Sequence, residues 1–321
     1  MGDIDTAALK ENFALVAGHG PDEVAQYFYS YLFLRYPQTR DMFPPAMTTQ
    51  RDRLVGALVR IVTNVDQVDQ LVPYLQDLGR DHRKFGTLTA HYPAVGEALL
   101  TTLRHFSGPA WTDKLAANWA AAYGVVAGAM SGAAEQIAET EPPYWDAEII
   151  EVDQRTFDIA VLTLRTDEPV PYLAGQSVAV EPTTTRPREW RWYTPANAPG
   201  GLDIELHARL IPGGPVSAAL VRSSTPGDQV RLGPPFGRMT LDSGSRRPLL
   251  MVAGSTGLAP MKAMIGQVAR DGGRRTHLYF GARSEREVYD RKALAALQEW
   301  HGWLRSPPRS PTASGGPART D

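Results

Sequence analysis

The period of the apolar residues changes at Glu139–Asp146 (ETEPPYWD), and that change decides what the chain can build on each side of it. Before it, apolar side chains recur three and four apart, as in Val24, Tyr27, Phe28, Tyr31 and Leu32, which is the period of a helix face. After it, they fall in short runs separated by Gly and Pro, which is the habit of strands. The acidic, Pro-containing stretch at 139–146 is read as a linker between domains.

Residues 1–138 are expected to be all helix. Asp3 opens a turn, Pro21-Asp22 starts another helix, and Pro37, Pro44 and Pro45 break the pattern into a loop near Phe43. Within 147–243, the runs AEIIEVD, DIAVLTLR, SVAVEP, WRWYTPA, GLDIELHA and DQVRLG predict an antiparallel barrel or sandwich. Over 244–304, PLLMVAG, STGLAP, MKAMIGQVARDGG and THLYFGAR read as strand, turn, helix and strand, with a further helix near Lys292–Trp300. That order opens a doubly wound nucleotide fold. Residues 305–321 (RSPPRSPTASGGPARTD) hold nothing to build a core from and are expected to be disordered.

Composition narrows the functions. Lys and Arg total 33 against 35 Asp and Glu, a net charge of -2, which does not favour nucleic acid or an anionic membrane as partner. The absence of cysteine removes disulfides, thiolate zinc sites, iron–sulfur clusters and cysteine nucleophiles, and it fits a reducing cytosol. The acidic start MGDIDTAALKEN is unlike a secretory signal. Leu115–Ala134 carries no charge, and Gly124, Gly128 and Gly132 stand at small-xxx-small spacing. Its Ala and Gly make it only weakly hydrophobic, so it is read as a buried helix whose small residues allow close packing, not as a membrane span. The chain is expected to be cytoplasmic.

His82, in DLGRDHRKFG, shares an apolar helix face with Leu78 and Phe85. Alone, such a histidine is an ordinary core residue. Around it stand the run from Tyr29 through Pro37 to Phe43, Gln50 and Leu54 at i, i+4, and Tyr92-Pro-Ala-Val-Gly ten residues beyond His82. Together these resemble the globin domain of the flavohaemoglobins, over about residues 5–137. The resemblance implies haem b with His82 as axial iron ligand through a neutral imidazole nitrogen. It implies Phe43 packed on the porphyrin, and Tyr29 donating a hydrogen bond to the oxygen ligand with help from Gln50. Leu54 would bound the ligand's space, and Tyr92 would orient His82. The family's proximal carboxylate falls at Ala134, with Glu135 next door, about 100 degrees away around a helix. Glu135 is therefore either a member of the site or a solvent-exposed residue at a helix end.

Arg191-Trp192-Tyr193-Thr194 resembles the RxY[ST] strand of ferredoxin-reductase-like flavin domains. Alternation sends Arg191 and Tyr193 to one face. The resemblance implies Arg191 on the FAD pyrophosphate, Tyr193 stacked on the flavin, and Thr194 near the flavin N5, with Trp192 between them. Tyr172-Leu-Ala-Gly175-Gln176, at an expected strand, precedes it; Gly213-Gly214-Pro-Val-Ser217 follows, opening a short helix. Tyr172, Gly214 and Ser217 thus join the FAD set. Gly254, Ser255, Thr256, Gly257, Leu258, Ala259 and Pro260 resemble the Gly-rich, Pro-ended turn that receives NAD(P)H in the same reductases. Arg283 would touch a ribose or 2′-phosphate, or lie on the surface. The family's later strands, its Cys-Gly-Pro segment and its C-terminal aromatic segment are not found in this sequence. The nucleotide domain is therefore expected to be C-terminally truncated after two strands, and the final composition matches a reading frame translated out of register.

The expected molecule is multidomain: an all-α globin, an antiparallel β-barrel FAD domain and a partial α/β nucleotide-binding domain. The resemblance implies a nitric oxide dioxygenase in which electrons from NAD(P)H pass through FAD to haem, and O₂ oxidises NO to nitrate. Two alternatives stay open: a haem-based O₂ or NO binding or sensing protein with a defective reductase, and a flavin reductase without haem. NADH and NADPH are not distinguished.

Overall fold

The computed structural model describes residues 4–282, 284 and 287–306. It divides into two compact units, Met1–Pro143 and Tyr144–Asp321. The division lies inside the expected linker, whose last two residues, Trp145 and Asp146, already belong to a strand.

The first unit is helical: α1 (Thr6–Ala17), α2 (Pro21–Arg35), α3 (Thr48–Thr63), α4 (Val68–His82), α5 (Tyr92–Ser107) and α6 (Asp113–Ala138). A 3₁₀ turn, Pro37–Met42, fills the proline-broken stretch before Phe43. Asp5 caps α1 by accepting from the Ala8 N–H at 3.0 Å; the expected opener Asp3 lies outside the described residues. Pro21 starts α2, where Asp22 and Glu23 face the positive end of the helix dipole. Leu9, Val16, Phe28, Leu32, Leu103 and Trp119 form the centre of the core. Inside it, the buried Asn12 amide donates to Ser107 Oγ at 2.8 Å and accepts from Trp119 Nε1 at 2.9 Å, tying α1, α5 and α6 together.

The small residues of α6 do not act as expected. Nothing would meet a β-carbon added at Gly124, Gly128 or Gly132, so this stripe faces open space. The close crossing is made instead by α4, where a β-carbon on Gly79 would overlap the Met130 main chain of α6. No helix among the described residues is long and apolar enough to cross a membrane.

In the second unit each of the six alternating runs forms a strand: β1 (Trp145–Gln154), β2 (Ile159–Thr166), β3 (Val178–Pro182), β4 (Arg191–Tyr193), β5 (Asp203–Arg209) and β6 (Gln229–Leu232). They pair antiparallel in the order β4-β3-β6-β1-β2-β5, and a bridge from Pro195 to Leu206 brings the two edges together into a nearly closed barrel. Its interior is apolar, with Ile149, Leu162, Leu164, Ile204, Leu206 and Leu232 fully enclosed. α7 (Pro215–Ala218) follows β5, and α8 (Leu258–Arg270) follows β7 (Leu249–Gly254).

β7 pairs in parallel with β8 (Thr276–Gly281), and α9 (Arg291–Trp300) follows. A third parallel strand, β9 (Leu304–Arg305), joins β8, so among the described residues the sheet has three strands where two were expected. Arg305 is accordingly in a strand and Ser306 is buried; the rest of the expected disordered tail, 307–321, lies outside the described residues. One face of β7 packs on α8 through Met251 and Ala253, whereas Leu250 and Val252 are 70% and 68% exposed on the other.

Candidate functional sites

His82 is the last residue of α4, one turn beyond the crossing at Gly79. Its Nδ1 lies 2.7 Å from the Leu78 carbonyl oxygen. A carbonyl can only accept, so Nδ1 carries the proton, and in a neutral ring the lone pair is on Nε2. Burial holds the imidazole below its ordinary range, favouring that neutral form. This is the state a metal-ligating histidine requires, and its backbone bond fixes the ring's orientation. Beside it, the Lys84 ammonium is buried and paired with Asp81. The residue pattern did not mark Lys84, because a lysine at a helix end reads as solvated.

On the α2 side, Tyr29 is 6% exposed and packs on Phe28, Phe33 and Phe43 at ring separations of 5.0, 5.7 and 5.4 Å. Leu54 is partly buried against the core of the helical unit, to which Phe28 and Tyr29 belong. The Tyr29 hydroxyl donates to the main-chain oxygen of Gln50 at 3.5 Å, a long contact that leaves the proton free for a better acceptor. Burial pushes this phenol up to about 12, against a smaller opposing effect of Gln50, so it stays a donor. The structure thus brings Tyr29 and Phe43 together, with Gln50 contributing its backbone. Phe33, which lies in the Tyr29–Phe43 run but was given no role of its own, completes the aromatic wall.

Tyr92 begins α5 half-buried, and its carbonyl accepts from the Tyr123 hydroxyl at 2.6 Å. Burial raises its phenol. Glu135 does not join it. The Glu135 side chain is exposed and accepts from Thr89 Oγ1, in the turn before α5. Of the two readings of Glu135, its placement matches the exposed helix-end residue.

In the barrel, β4 pairs with β3 so that Arg191 and Tyr193 are half-buried on one face while Trp192 turns outward, 44% exposed, against Phe236 at 5.6 Å. Arg191 Nη1 donates to the Trp190 carbonyl at 2.8 Å. Burial pushes the Tyr193 phenol up to about 12, and the Arg191 guanidinium opposes the rise. Thr194 Oγ1 and Ser177 Oγ share a hydrogen bond of 2.8 Å. Tyr172 is different from expectation: it is 3% exposed in the barrel core, and its hydroxyl donates to the Asn197 carbonyl at 3.0 Å. It also lies in an irregular segment, not a strand, because Gly175 turns the chain at φ 98. Gly214 caps α7, and Ser217 stitches that turn, accepting from Ile211 N–H and donating to the Gly214 carbonyl, both at 3.0 Å.

At the nucleotide turn, Gly254 and Gly281 face each other across the C-terminal ends of β7 and β8. Ser255 adopts a left-handed φ of 51, sparsely populated outside glycine. Its hydroxyl accepts from Arg209 Nη1 at 2.8 Å, and Arg209 Nε is held by Asp158 at 2.9 Å. Thr256 and Gly257 complete a 3₁₀ turn that runs into α8. Leu258, Ala259 and Pro260 are buried beneath it; their side chains face the core, so Leu258 and Ala259 can meet a nucleotide only through main chain and Pro260 has no N–H to offer. Arg283 lies outside the described residues.

The family model for globins matches residues 26–130, that for oxidoreductase FAD-binding domains matches 146–241, and that for oxidoreductase NAD-binding domains matches 251–306. A flavohemoprotein of Rhizobium meliloti is 26% identical over 296 residues, covering 86% of this chain and 73% of its own length. One of Bacillus subtilis is 27% identical over 272 residues, covering 80% and 67%. The flavohemoglobin of Malassezia yamatoensis, solved with bound FAD and haem, superposes with a TM-score of 0.77 at 17% identity, over 94% of this chain and 82% of its own: a likeness of fold. The three domains imply haem, FAD and a nicotinamide nucleotide as cofactors and oxidoreduction as the chemistry.

Proposed function

This chain belongs to the flavohaemoglobin family by its globin, FAD-binding and NAD-binding domains, and we propose that it acts there as a nitric oxide dioxygenase. NO and O₂ combine with one electron to give nitrate, so the two electrons of one NAD(P)H serve two molecules of NO. Haem and FAD, when bound, supply the redox chemistry. The chain's own residues bind and orient. His82 offers Nε2 as ligand, and Tyr29 holds its proton ready for a developing negative charge. Arg191 and Tyr193 offer a cation and a flat ring on one face of β4, and the glycines at the ends of β7 and β8 admit a dinucleotide to the main chain.

The observation that carries the reading is the Nδ1–H bond of His82 to Leu78, which leaves Nε2 unprotonated in a globin fold. The test is NO consumption in air by the full chain loaded with haem and FAD. NAD(P)H is expected to be required, and Tyr29→Phe to slow turnover about tenfold or more, the effect of one lost hydrogen bond. Equal NO loss with and without the nucleotide sinks the reading. A second reading, O₂ or NO binding without reductase turnover, is favoured by Leu250 and Val252, which are exposed on one face of the nucleotide-binding sheet. It predicts that dithionite, but not NAD(P)H, supports gas binding.

A further inference from the structure

Apart from the flavin strand and the nucleotide turn, six polar side chains of the second unit form one cluster. Glu205 and His207 stand two apart on β5 and share a face. Arg155 follows β1, Lys262 is on α8, and Tyr289 and Asp290 precede α9. Lys262 Nζ donates to Glu205 Oε1 at 2.8 Å and to Asp290 Oδ2 at 2.6 Å. His207 Nε2 lies 2.7 Å from Glu205 Oε1, and its Nδ1 lies 2.6 Å from the Tyr289 hydroxyl. Since a carboxylate only accepts, Nε2 carries a proton, and Nδ1 shares a hydrogen bond with the Tyr289 hydroxyl. Arg155 Nη1 lies 3.2 Å from Asp290 Oδ1. The Asp290 side chain is fully buried and that of Lys262 is 10% exposed.

An imidazole nitrogen and two carboxylate oxygens within 4.8 Å of one another are a donor set for a divalent cation. Here the two carboxylates converge on an ammonium. Two anions and two cations balance, and removing one cation strands a charge in the interior. Three contacts cross from the barrel to the nucleotide-binding part: Lys262 to Glu205, Tyr289 to His207 and Arg155 to Asp290. The Arg209–Ser255 bond crosses the same boundary at the nucleotide turn.

We propose that Lys262 is the resident cation of a His207–Glu205–Asp290 site, and that the filled site is a clasp holding the nucleotide-binding sheet on the flavin barrel. The ammonium makes a metal unnecessary; removing it converts the clasp into a divalent-metal site. This assignment does not depend on the reaction the chain performs.

The test uses the full chain loaded with haem and FAD, with Zn²⁺ followed by calorimetry and by thermal unfolding. Lys262→Ala is expected to unfold at lower temperature and to gain a Zn²⁺ site at least tenfold tighter than any in the unsubstituted protein. Zn²⁺ then restores the unfolding temperature. Adding His207→Ala abolishes both gains, and Lys262→Arg shows neither. Should Lys262→Ala accumulate unfolded, growth with Zn²⁺ is expected to recover it. The proposal is overturned if Lys262→Ala gains no Zn²⁺ site, if Zn²⁺ fails to recover an unfolded variant, or if Lys262→Arg gains the same site. It is equally overturned if His207→Ala alone loses a Zn²⁺ that the unsubstituted chain binds.

Discussion

A β-carbon at Gly79 would overlap the Met130 main-chain oxygen, so α4 and α6 meet there backbone to backbone, three residues before His82. Gly79→Ala is expected to cost about 1–3 kcal/mol, as overpacking does, and to weaken haem retention, because the helix that presents the imidazole is pushed off its neighbour. Denaturant titration and the Soret band measure the two effects; intact retention would mean that His82 does not depend on this crossing. At this scale the face shared by two flavin-strand residues was legible beforehand. Arg191 and Tyr193 share a face of β4 as alternation puts them, whereas Tyr29, Phe43 and Leu54 were singled out by their order in the globin pattern and not by period. Tyr172 and Glu135 were not legible. Motif order places a residue along the chain, whereas burial of a phenol, or a rotation of one position on a helix, is settled by packing.

Asn12 connects three helices with one amide, and sequence spacing gives no hint of it because its partners are 95 and 107 residues away. Asn12→Ala leaves Trp119 Nε1 without its acceptor in the interior and is expected to destabilise the helical unit by about 1–3 kcal/mol, read from a shift in urea midpoint at unchanged slope. All six β-type runs became strands of the barrel because alternation is a strong, local signal when one face is enclosed. α6 was also found, but its glycine stripe points outward instead of into a neighbour. Small residues permit close packing without requiring it, so which face of such a helix is covered is decided by partners elsewhere in the chain.

For the molecule as a whole, acid tolerance should reflect the clasp. Burial alone would raise Glu205, but the His207 hydrogen bond and the Lys262 ammonium hold it down to about 2. A carboxyl lowered on folding contributes stability that is complete above its unfolded value of 4.5 and is lost as pH falls from there toward about 2. Glu205→Gln is therefore expected to flatten the loss of stability over that window, measured by denaturant titrations at several pH values; a slope equal to that of the unsubstituted chain would contradict it. The nucleotide-binding sheet carries a different consequence. β7 stands at the end of the strand order β7-β8-β9 and turns Leu250 and Val252 outward. An edge strand that pairs on one side only among the described residues, beside two branched side chains, is a template for strand addition between molecules. The chain should therefore behave as a colloid near its limit: clear when dilute, turbid when concentrated, with refolding yields that fall as protein concentration rises. Val252→Lys should raise the soluble yield while leaving the melting temperature almost unchanged, since little packing is lost at a side chain already in water.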